Sequence, residues 1–113
     1  MRDFKPKTKA LHAGYISHEP DFSRAVPLYQ SVAHLFRDTK HAARLFEAKE
    51  EGFIYSRMNN PTVDIFEKRM ADLEGAEAGL ATASGMSAIF IIAAHLAASG
   101  DEIVSSDRVY GGT

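Results

Sequence analysis

The stretch from residue 78 to 105 restricts the fold of this chain more than any other. Ser84 to about Ser99 reads as a helix that is apolar nearly all round, through Ile89, Phe90, Ile91, Ile92 and Leu96, and Gly100 stops it. Ala78-Gly79-Leu80-Ala81-Thr82 before it and Glu102-Ile103-Val104-Ser105 after it read as short buried strands. A helix without a polar face must be covered on several sides. A strand–helix–strand unit implies a parallel sheet with a right-handed crossover. Two strands cannot both form a sheet and bury that helix, so more chain or a partner is expected. The expected class is α/β.

The sequence ends at Tyr110-Gly111-Gly112-Thr113, a turn-like run just past the second strand. We therefore expect a truncated piece of a larger fold. At the other end, residues 1–38 show little periodicity and hold Pro6, Gly14, Pro20 and Pro27. A short helix is expected around Thr8–His12. An irregular arm of this length either has a function or leans on something else. Val26 to Gln30 reads as an extended edge segment, because Pro27 cannot donate to a ladder.

Two further helices are expected. One runs from Thr39 to about Glu50, capped by Asp38 or Thr39 and stopped at Gly52, with Ala42, Leu45 and Phe46 on its apolar stripe. The other starts with Asn60 as cap and Pro61 at the first helical position, and stops at Gly75. Val63, Phe66, Met70 and Leu73 share its apolar face, and Glu67, Lys68, Arg69, Asp72 and Glu74 form its wet side. Phe53-Ile54-Tyr55 reads as a short extended run.

Composition excludes several classes. Across 113 residues the net charge is −2, and the basic residues are scattered. A nucleic-acid surface needs them clustered. Cysteine is absent, which removes disulfides, cysteine-based zinc sites and a thiol nucleophile. The N-terminal residues lack the apolar core of a secretory signal. The longest apolar run, Ala88–Ala98, is interrupted by His95 and is about half of the ~20 residues a bilayer span requires. A cytoplasmic protein is expected, with neither nucleic acid nor membrane as partner. The five histidines form no metal-ligand spacing.

The candidate chemistry lies in three places. Ser84-Gly85-Met86 stands where a strand feeds a helix. The first helical N–H groups lack intrahelical partners and the dipole makes that end positive, so the mouth suits a phosphate. A serine cap followed by a small residue explains the same three letters. Neither a Walker loop nor GxGxxG is present, so nucleotide fingerprints are absent. Tyr55 and Arg57, two apart in an extended segment, would point to one side and reach one anion with a phenol and a guanidinium fork. Tyr110, at the C-terminal end of a parallel strand, stands where ligands bind and suits stacking on a flat ring.

In order along the chain these signals become specific. Tyr55-Ser56-Arg57, Asn60-Pro61-Thr62, Leu73-Glu74-Gly75, Ala83-Ser84-Gly85-Met86, Gly100-Asp101 and Tyr110-Gly111-Gly112-Thr113 together resemble the Cys/Met-metabolism family of pyridoxal-phosphate enzymes. The likeness runs from Lys9-Ala10-Leu11-His12-Ala13-Gly14 to the last residue. It implies the N-terminal arm and start of a fold-type-I, aspartate-aminotransferase-like large domain, with residues 1–57 as an arm serving the neighbouring subunit's site and 58–113 opening the cofactor domain.

By this resemblance, Gly85 and Met86 would give amides to the phosphate of pyridoxal 5'-phosphate. Tyr55 and Arg57 would bind that phosphate in a neighbouring subunit's site. Tyr110 would stack on the ring and assist catalysis. A homo-oligomer, dimer or tetramer, acting on an amino acid is implied. The cofactor-bearing lysine and the aspartate facing the pyridine nitrogen would lie beyond residue 113, so these 113 residues alone should be inactive. Ala25 to Gln30 and Phe46 to Gly52 look most like O-acetylhomoserine sulfhydrylases; methionine γ-lyase and cystathionine γ-synthase or lyase are the alternatives. A non-catalytic anion-binding or oligomerisation module is the rival from another class.

Overall fold

The computed structural model describes residues 4–18 and 22–113. They form four helices: α1 (Pro6–His12), α2 (Thr39–Phe46), α3 (Pro61–Glu74) and α4 (Gly85–Leu96). The chain groups into two compact units, Met1–Gly79 and Leu80–Thr113.

In the first unit, α3 is the centre. Asn60 adopts extended dihedrals and its side-chain oxygen accepts from the Thr62 amide at 2.9 Å. Pro61 follows at N1, where its missing N–H costs nothing. Asp64 sits in the first turn, favoured by the helix dipole, and pairs with Lys68 one turn on at 2.6 Å. Gly75 ends the helix in the left-handed region at φ 67°, and the Gly75 and Ala76 amides return to the Ala71 carbonyl.

The N-terminal arm docks on α3 through α1. Gly14 (φ 76°) lies so close that a Cβ would stand 2.9 Å from the Ile65 carbonyl oxygen and 3.0 Å from the Arg69 nitrogen. Arg69 Nε donates to the Ala13 carbonyl at 2.9 Å, and Lys9 Nζ stands 3.6 Å from the Asp72 carboxylate. The side of α3 expected to be solvated thus receives the arm at Lys68, Arg69 and Asp72. The apolar stripe of Val63, Phe66 and Met70 is open to solvent instead. Sequence periodicity alone does not register that the aliphatic stems of charged residues can floor an interface.

α2 stops at Phe46, four residues before the expected end. Ala48 turns into the left-handed region at φ 52°, and the Lys49 amide bonds back to Arg44. The fold-back brings Glu50 to Arg44 at 2.7 Å and Arg37 at 2.5 Å, and buries Leu45 beneath Gly52. A side-chain network, invisible to periodicity, terminates the helix.

The second unit holds α4. Ser84 caps it, accepting from the Ser87 amide at 3.1 Å, and the helix ends at Leu96, before the expected Ser99. Segments 78–82 and 102–105 form no strand; among the described residues the one bridge is antiparallel, Ala33 with Tyr55. A parallel strand exists only as half of a ladder, and neither segment has its other half here. None of α4's residues is buried, with Phe90 71% and Leu96 77% exposed. That is the uncovered condition its composition forbids in a finished fold.

Candidate functional site

Tyr55 and Arg57 stand on a turn, not on a continuous strand. Tyr55 closes the antiparallel bridge with Ala33: His34 N donates to Ile54 O at 3.1 Å and Ser56 N to Val32 O at 2.9 Å. The chain then curls, with the Met58 and Asn59 amides both bonding to the Tyr55 carbonyl. Strand alternation is therefore not what aligns the two side chains. They meet because the turn folds Arg57 over the Tyr55 ring, with the guanidinium carbon 5.6 Å from the centroid. The guanidinium has no hydrogen bond or ion pair among the described residues. It is a cation held in place with its five donors unspent.

A polar hub lies beneath that turn. Asn60, 7% exposed, spends its whole side chain. Its oxygen caps α3; its nitrogen donates to the Tyr29 carbonyl and to Ser56 Oγ, both at 2.9 Å. Ser56 Oγ in turn donates to the Ser31 carbonyl. Thr62 Oγ1 donates to the Pro27 carbonyl at 2.8 Å and accepts from the Tyr29 amide at 2.9 Å. Segment 26–30, expected as an extended edge segment, is held at Pro27 and Tyr29 by the Asn60 and Thr62 side chains at the start of α3. Local pattern assigns Asn60 the cap alone; its bond to Tyr29, 31 positions away, leaves no local signal.

In the second unit, the mouth of α4 has the features of an anion cup. Ser84 Oγ takes the Ser87 amide, and Ala88 N bonds to the Ser84 carbonyl. The amides left without an acceptor among the described residues are those of Gly85 and Met86. Nothing stands within 4 Å of where a Gly85 Cβ would be, so an anion can approach the backbone. The C-terminal turn reaches the same mouth, with Thr113 Oγ1 3.8 Å from Met86 Sδ. Tyr110, 76% exposed, begins that turn; its carbonyl accepts from the Thr113 amide, and its ring lies over Gly112, where a Cβ would stand 2.8 Å from Cε1. Gly85, Met86 and the Tyr110 turn are thus neighbours.

Two carboxylates away from these residues are held by the fold. The Arg44 guanidinium holds the Glu50 carboxyl below its ordinary value. The His41 amide does the same for Asp38, which caps α2 at 2.7 Å. Among the described residues no group of His, Asp and Glu could hold a metal, and no helix is long and apolar enough to cross a membrane.

Residues 7–113 match the model of the family described as Cys/Met metabolism PLP-dependent enzyme. The chain is 54% identical over 112 residues to an O-acetyl-L-homoserine sulfhydrylase of Leptospira meyeri, covering 99% of this chain and 25% of that protein. It is 51% identical over 107 residues to a homocysteine synthase of Schizosaccharomyces pombe, covering 95% of this chain and 25% of that one. A 2.35 Å crystal structure assigned as an O-acetylhomoserine (thiol)-lyase of Campylobacter jejuni, carrying N'-pyridoxyl-lysine-5'-monophosphate, superposes with a TM-score of 0.89 at 42% identity, over 97% of this chain and 27% of that one. The chain therefore spans about a quarter of the length of these relatives, and its α/β, fold-type-I class is theirs.

Proposed function

The chain belongs to the family of Cys/Met metabolism PLP-dependent enzymes, and we propose that within it this segment is the cofactor-anchoring part of an O-acetylhomoserine sulfhydrylase. The reaction replaces the γ-acetate of the substrate with sulfide or a thiol, giving homocysteine or a relative. Enzymes of this family act on amino acids with pyridoxal phosphate, which supplies the electron sink when bound.

The Gly85 and Met86 amides hold the cofactor phosphate, aided by the positive end of α4. Tyr55 and Arg57 serve a neighbouring subunit's site, the phenol donating one hydrogen bond and the guanidinium a fork. Tyr110 covers the cofactor ring and excludes water from that face. Residues 1–57 act as the arm that reaches the neighbour, and residues 58–113 open the cofactor domain. The working unit is a cytoplasmic homo-oligomer, dimer or tetramer. The lysine that carries the cofactor and the aspartate facing its ring nitrogen belong to the three quarters of the relatives' length that this chain does not span.

One observation carries this reading: among the described residues the two α4 amides without acceptors are those of Gly85 and Met86, and nothing stands within 4 Å of where a Gly85 Cβ would be. The test is a hybrid protein in which this chain replaces the matching quarter of the Leptospira meyeri relative. It should retain pyridoxal phosphate through dialysis and form homocysteine from O-acetylhomoserine and sulfide. A folded hybrid that loses the cofactor, or cleaves methionine without making homocysteine, contradicts the proposal.

A further inference from the structure

We propose that Ser56 and Asn60 are positioning residues for the Tyr55–Arg57 phosphate contact, acting through the turn and not on the cofactor. The inference rests on the phosphate reading of Arg57 given above. A guanidinium that must meet an anion across a subunit boundary gains from being fixed beforehand, since the cost of ordering it is then not charged against binding. Arg57 is exposed and has no polar partner among the described residues, so its position depends on the backbone that carries it.

That backbone is held from below. The turn has two internal bonds, both to the Tyr55 carbonyl. Outside the turn, Ser56 Oγ connects it in two directions, donating to Ser31 O and accepting from Asn60 Nδ2. Asn60 ties the same point to Tyr29 and to the first turn of α3. A buried amide with all of its bonds made has one orientation, because a flip would set its NH2 against the Thr62 amide and its oxygen against the Tyr29 carbonyl. The side chain between Tyr55 and Arg57 in sequence is thereby tied through Asn60 to the first turn of α3. A cap needs only the Asn60 oxygen; of the other two bonds, one holds the turn at Ser56 and one holds Tyr29.

The two jobs of Asn60 can be separated. Asn60→Asp keeps an oxygen for the Thr62 amide but loses both NH donors. Ser56→Ala removes the hydroxyl and leaves the α3 cap intact. The experiment is a double-mutant cycle in the hybrid holoenzyme, reading pyridoxal-phosphate affinity by equilibrium dialysis. Ser56→Ala and Asn60→Asp should each weaken binding about threefold to tenfold when Arg57 is present. In an Arg57→Ala background the same changes should alter affinity by less than about twofold, because the group they position is gone. Equal losses in both backgrounds, or no loss in either, overturn the inference and leave Ser56 and Asn60 as fold residues. If Arg57→Ala alone leaves affinity unchanged, the phosphate reading of Arg57 fails instead. Asn60→Asp also keeps the test valid if Ser56→Ala disturbs the local fold.

Discussion

Replacing Gly85 by Ala should move stability and cofactor affinity in opposite directions. Gly85 is the first residue of α4, and its φ is not among the positive values of this chain, so alanine meets no backbone strain. Nothing lies within 4 Å of the new Cβ, so it meets no clash. Alanine is favoured over glycine by about 0.8–1.0 kcal/mol inside a helix and by less at its first position. A gain of roughly 0.3–0.8 kcal/mol in helix stability follows. The same methyl stands where an anion would approach the Gly85 and Met86 amides. Losing one charge-assisted amide bond removes about 1.5–3 kcal/mol, or roughly tenfold to a hundredfold in affinity. Thermal melting of the apo hybrid and dialysis of its cofactor measure the two effects separately. A stabilised variant with unchanged affinity would refute the cup, because its open space would then have no occupant.

Two further perturbations test the scaffold. Gly14→Ala forces a left-handed alanine against the backbone of α3 and should cost about 2–4 kcal/mol through strain and the lost Arg69–Ala13 bond. Gly75→Ala shares the strain but meets no neighbour and should cost about 1–2 kcal/mol; equal shifts in the two melting curves would show that the arm does not dock as described. The Glu50 carboxyl, lowered chiefly by its bond to Arg44, stabilises the fold-back after α2 above the ordinary carboxyl value of 4.5. That contribution is lost as pH falls below 4.5 through the lowered folded value. The protection factor of the Lys49 amide, corrected for the intrinsic pH dependence of exchange and followed from pH 6 downward, should fall in that window in the parent and stay flat in Glu50→Gln.

The α3 boundaries were legible because local groups set them. Asn60, Pro61 and Gly75 fix both ends by capping and backbone geometry, and the structure has those bounds. The Ser84 cap was legible for the same reason. Where distant residues decide, the sequence was silent. α2 is cut short by a charge network from Arg37 to Glu50. The arm chose the charged side of α3 because Gly14 lets the backbones approach closely. Tyr55 and Arg57 were expected on one extended segment because Phe53-Ile54-Tyr55 matches a strand; the bonds that curl the chain after Tyr55 involve only backbone. The two expected strands depend on neighbours no local pattern can supply. The site residues were reached by resemblance as much as by physics, and the Asn60 hub was missed because its bond to Tyr29, 31 positions away, leaves no local pattern.

The central claim is that one subunit's helix mouth and another's guanidinium hold the same phosphate. Co-refolding two inactive hybrids, Arg57→Ala and Tyr110→Ala, addresses it most directly. If the site is shared, mixed oligomers contain sites built from an intact Tyr110 turn and an intact neighbouring Arg57, and homocysteine synthesis rises well above that of either parent. If Arg57 serves the helix mouth of its own chain, every site carries one defect, and the mixture makes no more homocysteine than the parents alone.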